Sequence, residues 1–379
     1  MITPLIGRGS CLSLLAALAV SAAHAQAVDR QVSGNCDRYL AKLADYEGVV
    51  RAEMIKQNIP GLTLGFFKDD CTWVAAFGFA DLENRVAISV HSAYRYASVQ
   101  KSMTAAAVLQ LVERGKMDLD VEIQTYVPYF PRKRWPVTVR QLLGHLAGIP
   151  HYVNREVEQH ITVHKTTREA VAIFDGFDLV AEPGTRYSYS SYGYNLLGAA
   201  IEGATGVAYG DYMREQVWGP LGMSSTRLDD PSALIPNRVR GYRLVNGQIA
   251  NAEFIDVSSR FAAGGTRGTV PDLLRFLRGL QAGELLSRAS LDLMYTPMRT
   301  RDGQPIGYSA GWQVPPLKNR GSTVMNDGGQ QETRTFILNV PEKRFGLAFA
   351  MNLEADVYGP MVLRLYEVVL GEKFEMERR

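Results

Sequence analysis

The sequence predicts an α+β fold: an antiparallel sheet flanked by helices, with a mostly helical subdomain beside it. Three observations predict it. A helix and two strands open the chain, a loop-rich and mostly helical stretch fills the middle, and strands with a last helix close it. Tyr39, Leu40, Leu43, Tyr46, Val49, Val50 and Met54 recur at helical spacing, which sets a helix over 37–58 that ends before Pro60. Two strands follow at 61–67 and 72–79, joined by the turn-like Lys68-Asp69-Asp70. A strand-like segment at 94–97 runs into a helix marked by Met103, Ala106, Val108, Leu109, Leu111 and Val112, closing near Gly115. Short helical runs at 139–143, 192–202 and 209–217 punctuate the middle third. Thr269 can cap a helix over 271–280, with Asp272 at its third position. Strands at 311–314, 333–340 and 346–352 precede a final amphipathic helix over 360–370. These boundaries place the domain at 37–370, its α/β part at about 37–100 and 256–370, and its helical subdomain at about 101–255.

Composition narrows the function classes. The 379 residues are 46% hydrophobic and 21% charged with a formal net charge of +2, enough to bury a real core. Without a basic run, that balance gives no nucleic-acid footprint. Residues 1–25 read as a cleaved signal peptide: Arg8 supplies the positive start, 11–23 the apolar stretch, and Ala23-His24-Ala25 the small-x-small cleavage site. The stretch is too short to span a bilayer, so the expectation is a periplasmic or secreted chain with no membrane span. Cys11 leaves with the leader, and Cys36 and Cys71 remain as an even pair in an oxidising compartment. A Cys36–Cys71 disulfide is expected to tie the first helix to the first hairpin. Two unpaired thiols stay the alternative, because bridging depends on distances in the fold.

Ser98-Val99-Gln100-Lys101 is the sole S-x-x-K in the chain. It falls where the strand-like segment enters the helix, which puts Ser98 in the first turn. Residues three apart share a helix face, so the Lys101 amine can reach the Ser98 hydroxyl. The helix N-terminus offers free N–H groups and partial positive charge to an oxyanion. A lysine held away from water loses its proton readily and serves as base for a serine nucleophile. The plainer reading of the same four residues is a capping serine followed by a solvated lysine.

Further segments bear on that choice. Pro183-Gly184-Thr185-Arg186-Tyr187-Ser188-Tyr189-Ser190-Ser191 leads into the helical run Tyr192-Gly193-Tyr194-Asn195-Leu196-Leu197-Gly198. Leu142-Leu143-Gly144-His145-Leu146-Ala147-Gly148-Ile149 precedes it. Trp218-Gly219-Pro220-Leu221-Gly222-Met223 and Ala262-Ala263-Gly264-Gly265, then Gly268-Thr269-Val270-Pro271-Asp272-Leu273, follow. In this order and spacing the segments resemble the serine β-lactamase-related family, which spans class C β-lactamases, penicillin-binding proteins, D-aminopeptidases and esterases. Segments 137–152 and 198–213 look most similar to its mitochondrial serine β-lactamase-like branch. The resemblance covers about 37–370 and implies a three-layer α/β/α, β-lactamase/transpeptidase-like fold.

Residue by residue, the resemblance implies that Ser98 is the nucleophile, Lys101 its base, and Tyr189 the phenol that relays protons to the leaving group and helps water attack the acyl-enzyme. Tyr187, Tyr192 and Tyr194 read as packing. Ser191 stands where the family has an asparagine, and two roles stay open for it, contact with substrate or a cap of the following helix. Asn326-Asp327-Gly328-Gly329 falls on the family's third signature, with neutral Asn326 in place of its cation. Gly328 would let substrate approach the strand, and the Gly329 and Ser98 N–H groups would form the oxyanion hole. Losing the cation predicts poor β-lactam hydrolysis and a substrate without a strongly anionic recognised end.

The expected activity is therefore serine hydrolysis of an ester or amide bond in a small-molecule or peptide substrate, with no cofactor. The alternatives are a non-catalytic penicillin-binding-like sensor and a true class C-type β-lactamase. His160 and His164 have no acidic residue between them in an H-E-x-x-H pattern, so no metal is expected. His145 and His151 read as structural. No G-x-S-x-G elbow and no G-x-G-x-x-G loop is present.

Overall fold

Alternation of large and small residues along the strands decides the layering. In the computed structural model, which describes residues 28–158, 161–317 and 321–375, the chain begins with strand β1 (Asp29–Ser33) and helix α1 (Asp37–Gln57), then the hairpin β2 (Gly61–Lys68) and β3 (Cys71–Asp81). Short β4 (Val86–Ala87) and β5 (Tyr94–Arg95) lead into α2 (Gln100–Glu113). The middle carries α3 (Val139–Leu143), α4 (Arg155–Glu158), α5 (Thr167–Ala172), α6 (Ser191–Thr205) and α7 (Tyr209–Met213), then β6 (Arg227–Leu228), β7 (Tyr242–Val245), β8 (Gln248–Asn251) and β9 (Thr266–Gly268). Helices α8 (Val270–Ala282) and α9 (Arg288–Tyr295), strands β10 (Val324–Gln330), β11 (Thr333–Val340) and β12 (Phe345–Met351), and helix α10 (Gly359–Leu370) complete the chain. The predicted leader and His160 lie outside the described residues.

The main sheet is antiparallel, in the order β1-β3-β2-β12-β11-β10 with β4 beside β3, so the two ends of the chain meet at the β2–β12 pair. Leu62, Leu64 and Phe66 of β2 and Leu347 and Phe349 of β12 point to one face. There they pack with Tyr46, Val50 and Met54 of α1 and Met361 and Leu365 of α10. The opposite face carries small residues, Gly65 of β2 and Gly346, Ala348 and Ala350 of β12. Close packing requires it: a Cβ on Gly346 would stand 2.4 Å from the Phe67 ring and 3.2 Å from Leu277 of α8. A single apolar cluster runs from this inner face through α2 into the helical middle.

Helix α2 is buried at every position from Gln100 to Leu111, the pattern of a central helix enclosed on all sides. Its polar residues are bonded there: Ser102 Oγ donates to Gly311 O at 2.7 Å and Thr104 Oγ1 to Ala262 O at 2.7 Å. Three elements depart from the sequence expectation. Residues 311–314 form no strand; Gln313 makes only isolated bridges to Tyr308 and Met325, because Gly311, at φ +79°, lies against α2. The strand expected at 94–97 stops at Arg95. The helix expected at 209–217 loosens after Met213 into a π-helical turn, Arg214–Trp218. Strand β1 and the β7–β8 hairpin had no signal, since β1 is exposed throughout and lacks alternation.

Cys36 and Cys71 are joined, with Cα atoms 5.0 Å apart, tying the entry of α1 to the start of β3. The bridge closes a loop of sequence separation 35. Replacing both cysteines by serine is expected to lower the unfolding free energy by about 4 kcal/mol, by releasing loop entropy in the unfolded chain. Denaturant unfolding checks it; an unchanged midpoint would show that the bridge adds nothing.

Candidate active site

The Ser98 turn is clamped from three sides. Before it, β5 pairs with β9, and Tyr96 donates through N–H to Thr266 O at 2.8 Å and through its hydroxyl to Thr269 O at 2.8 Å. Beneath it, Thr333 and Thr335 of β11 donate to the carbonyls of Arg95 (3.1 Å) and Tyr96 (2.7 Å). Below these lies a buried ion cluster, Arg95 Nε and Arg267 Nε each 2.7 Å from Asp229, with Arg267 Nη2 2.7 Å from Glu332. Burial pushes the Asp229 carboxyl up, but the two guanidinium groups outweigh it and hold it at about 2. So braced, Ala97 sits in the left-handed region at φ +47°, which costs a non-glycine residue about 1–2 kcal/mol and turns Ser98 into the entry of α2.

Lys101 is fully buried, one turn on. Its Nζ lies 3.0 Å from Ser98 Oγ and 2.8 Å from Ala263 O, and among the described residues no carboxylate is bonded to it. The rings of Tyr189 and Tyr194 stand 5.0 and 5.8 Å away. Burial lowers its pKa to about 7; nearby Arg260 pushes the same way, and Asp327 opposes. The Tyr189 hydroxyl donates to Ser98 Oγ at 2.8 Å. Burial raises this phenol well above its ordinary range and outweighs the bond to Ser98, so it stays a proton donor.

Tyr189 is held by His145. The His145 carbonyl accepts from Ser188 N–H at 2.8 Å and its Nδ1 accepts from Ser190 N–H at 3.0 Å, so both neighbours of Tyr189 are fixed by one residue. The two rings lie 4.4 Å apart. Burial, and then the Lys101 and His151 charges, keep His145 well below its usual range and neutral. The cap of α6 is Ser190, whose Oγ accepts from Gly193 N–H at 2.9 Å; Ser191 is the first helical residue and lines the cleft instead. Its N–H donates to His151 Nδ1 at 3.2 Å.

Strand β10 forms the opposite wall at the sheet edge, and its pleat sorts the third signature into two faces. Asn326 and Gly328 point inward, Asp327 and Gly329 toward the cleft. Two expectations change. Asn326, expected at the substrate, is 2% exposed and its amide lies within bonding distance of Ser98 O, Ser102 Oγ and Gly311 O. Gly328 admits the Ser98 turn rather than substrate: a Cβ there would stand 2.4 Å from Tyr96 O and 2.9 Å from Ser98 N. Gly329 lines the cleft, with the Arg334 guanidinium close against it.

These groups surround a cleft of about 350 Å³ that holds Ser98, Tyr189, Ser191, His151, Asp327 and Gly329. His151, read from the sequence as structural, lines the cleft, and sequence reasoning missed Asp327, Arg260, Arg334 and Asp356 as cleft residues. Strand alternation and hairpin register, with Gly329 opposite Arg334, could have found Asp327 and Arg334; Arg260 arrives from a distant loop without such a signal. Larger hollows beside Phe374 (about 520 Å³) and Met298 (about 560 Å³) contain none of these groups. Among the described residues no His, Cys, Asp and Glu group is arranged for a metal, and no helix is long and apolar enough to cross a membrane.

The lowered Lys101 pKa carries a stability consequence. The unfolded chain holds this proton up to about pH 10 and the folded one only to about pH 7, so this group's penalty is full below pH 7 and shrinks as pH rises between the two. Lys101→Met should therefore raise the unfolding free energy by a few kcal/mol, more at pH 6 than at pH 9. Thermal unfolding at both values checks it, and an equal or lower midpoint for the variant would contradict it.

Comparison with known proteins bears on the fold and the family. The family model described as Beta-lactamase matches residues 46–367. Penicillin-binding protein 4* of Bacillus subtilis is 25% identical over 342 residues, covering 86% of this chain and 75% of the relative. The mitochondrial serine beta-lactamase-like protein LACTB of Homo sapiens is 31% identical over 298 residues, covering 59% of this chain and 54% of its own length. The octameric penicillin-binding protein homologue from Pyrococcus abyssi superposes with a TM-score of 0.75 at 25% identity, over 87% of this chain and 78% of that one. The fold is thus β-lactamase/transpeptidase-like, and the chain belongs to the beta-lactamase family of serine hydrolases.

Proposed function

We propose that the chain is an exported serine hydrolase that cleaves an ester or amide bond of a small or peptide-like substrate through an acyl-enzyme on Ser98. One observation carries this reading: the Ser98 hydroxyl lies between a buried amine at 3.0 Å and a phenol at 2.8 Å. Near neutral pH a substantial fraction of Lys101 is uncharged. In that state Nζ keeps one N–H on Ala263 O and accepts the Ser98 proton as Oγ attacks the carbonyl. The N–H groups of Ser98 and Gly329 take the developing oxyanion. Tyr189 passes its proton to the leaving group and recovers one from Lys101. Water then attacks the acyl carbonyl, with the same groups returning the proton to Ser98. Residues 1–25 support export, and so does the Cys36–Cys71 bridge, a bond suited to an oxidising compartment.

β-Lactams are expected to be poor substrates. Asn326 brings no positive charge, and the charged residue of β10 that faces the cleft, Asp327, repels a β-lactam carboxylate. A fluorophosphonate probe should label the wild type and not Ser98→Ala. A panel of p-nitrophenyl esters and aminoacyl amides should be turned over faster than a chromogenic cephalosporin. Equal labelling of Ser98→Ala would defeat the assignment of the nucleophile, and rapid cephalosporin turnover would defeat the claim about Asn326.

A further inference from the structure

We propose that Asp327 selects substrates carrying an ammonium group about one residue's length from the scissile carbonyl, an inference that rests on the hydrolase reading of Ser98. Register supplies the geometry. Gly328 is locked against the Ser98 turn, so its two neighbours on β10 point out into the cleft on either side of it. Gly329 stands at the oxyanion end. Asp327, two residues back on the same face, lies about 7 Å along the strand, and a hydrogen bond of about 3 Å to its carboxylate leaves about one extended residue's rise between the scissile carbonyl and an ammonium group. Substrate has room there because β10 is the sheet edge, touched on that side by the isolated Gln313–Met325 bridge.

The side chain is held but not neutralised. Gln313 Nε2 donates to Asp327 Oδ1, fixing the carboxylate while leaving its charge in place. The two guanidinium groups of the cleft have other partners. Arg334 lies against Gly329 with Nη1 on Thr333 O, and Arg260 donates to Gln330 and Gln331 at 3.2 and 3.3 Å while stacking over Tyr152. The cleft thus carries two guanidinium groups and two carboxylates, Asp356 and Asp327, and of these Asp327 is the one set on the substrate-facing side of β10. Asp327 acts across the gap as well: its charge helps raise the Tyr187 phenol, to about 12, after burial, and it opposes the lowering of Lys101. A cation placed beside Asp327 gains a charge-assisted hydrogen bond. An anion there meets a like charge in a site partly shielded from water, so Asp327 selects both by attraction and by repulsion.

Two isosteric substrate pairs test this on either side of the scissile bond. Alanine 4-nitroanilide against isobutyric 4-nitroanilide places the ammonium on the acyl side. 2-(Dimethylamino)ethyl butyrate against 3-methylbutyl butyrate places it on the leaving group. Wild type should favour the cationic member of at least one pair by about 10-fold or more in kcat/KM, Asp327→Glu should keep much of that ratio, and Asp327→Asn should bring it close to one. Fluorophosphonate labelling of Ser98 in each enzyme tests the underlying reading separately. If wild type labels but shows no preference in either pair, or if Asp327→Asn slows both members of a pair alike, the proposal is overturned.

Discussion

A lysine amine sealed from water with no carboxylate beside it is costly to keep charged, and the structure around Ser98 is organised by that constraint. Lys101 sits on a helix buried at twelve consecutive positions, its Nζ held by one backbone carbonyl and one hydroxyl. Had a carboxylate been paired with it, the amine would stay protonated at neutral pH and could not accept the serine proton. Burial instead lowers it to about 7, and His145, kept neutral beside it, adds no second charge to the same pocket.

The remaining architecture meets the needs of that arrangement. Small residues on the inner face of β2 and β12 allow the sheet and α8 to close tightly. The Arg95–Asp229–Arg267 cluster and the β11 threonines hold the strained Ala97 turn, so Ser98 projects toward the amine rather than relaxing away. Asn326, which stands at the position of a cation in related proteins by resemblance, ties the Ser98 carbonyl to Gly311 and thereby fixes the start of α2 to the edge of the sheet.

Local signals were the legible part of this molecule. The helix over Asp37–Gln57, the first hairpin and the Thr269 cap follow from periodicity and capping chemistry, which act within a few residues. The Ser98–Lys101 pairing was legible for the same reason, being one turn of helix. What stayed hidden was set by distant contacts. Ser190 rather than Ser191 caps α6 because its hydroxyl also reaches Pro150 O, and nothing in the local sequence distinguishes the two serines. Residues 311–314 alternate like a strand yet lie against α2, where packing overrides propensity. The inward turn of Asn326 needed the register of β10 against the nucleophile, which only the assembled sheet defines.

The central claim is that Lys101 is the base because burial, rather than a partner, frees it of its proton. NMR titration of the protein labelled at lysine side chains, with Lys101 assigned by its loss in Lys101→Met, measures this directly. The account predicts that the Lys101 resonance titrates with a midpoint near 7, well below the other lysines. A midpoint near 10, shared with the exposed lysines, would contradict it.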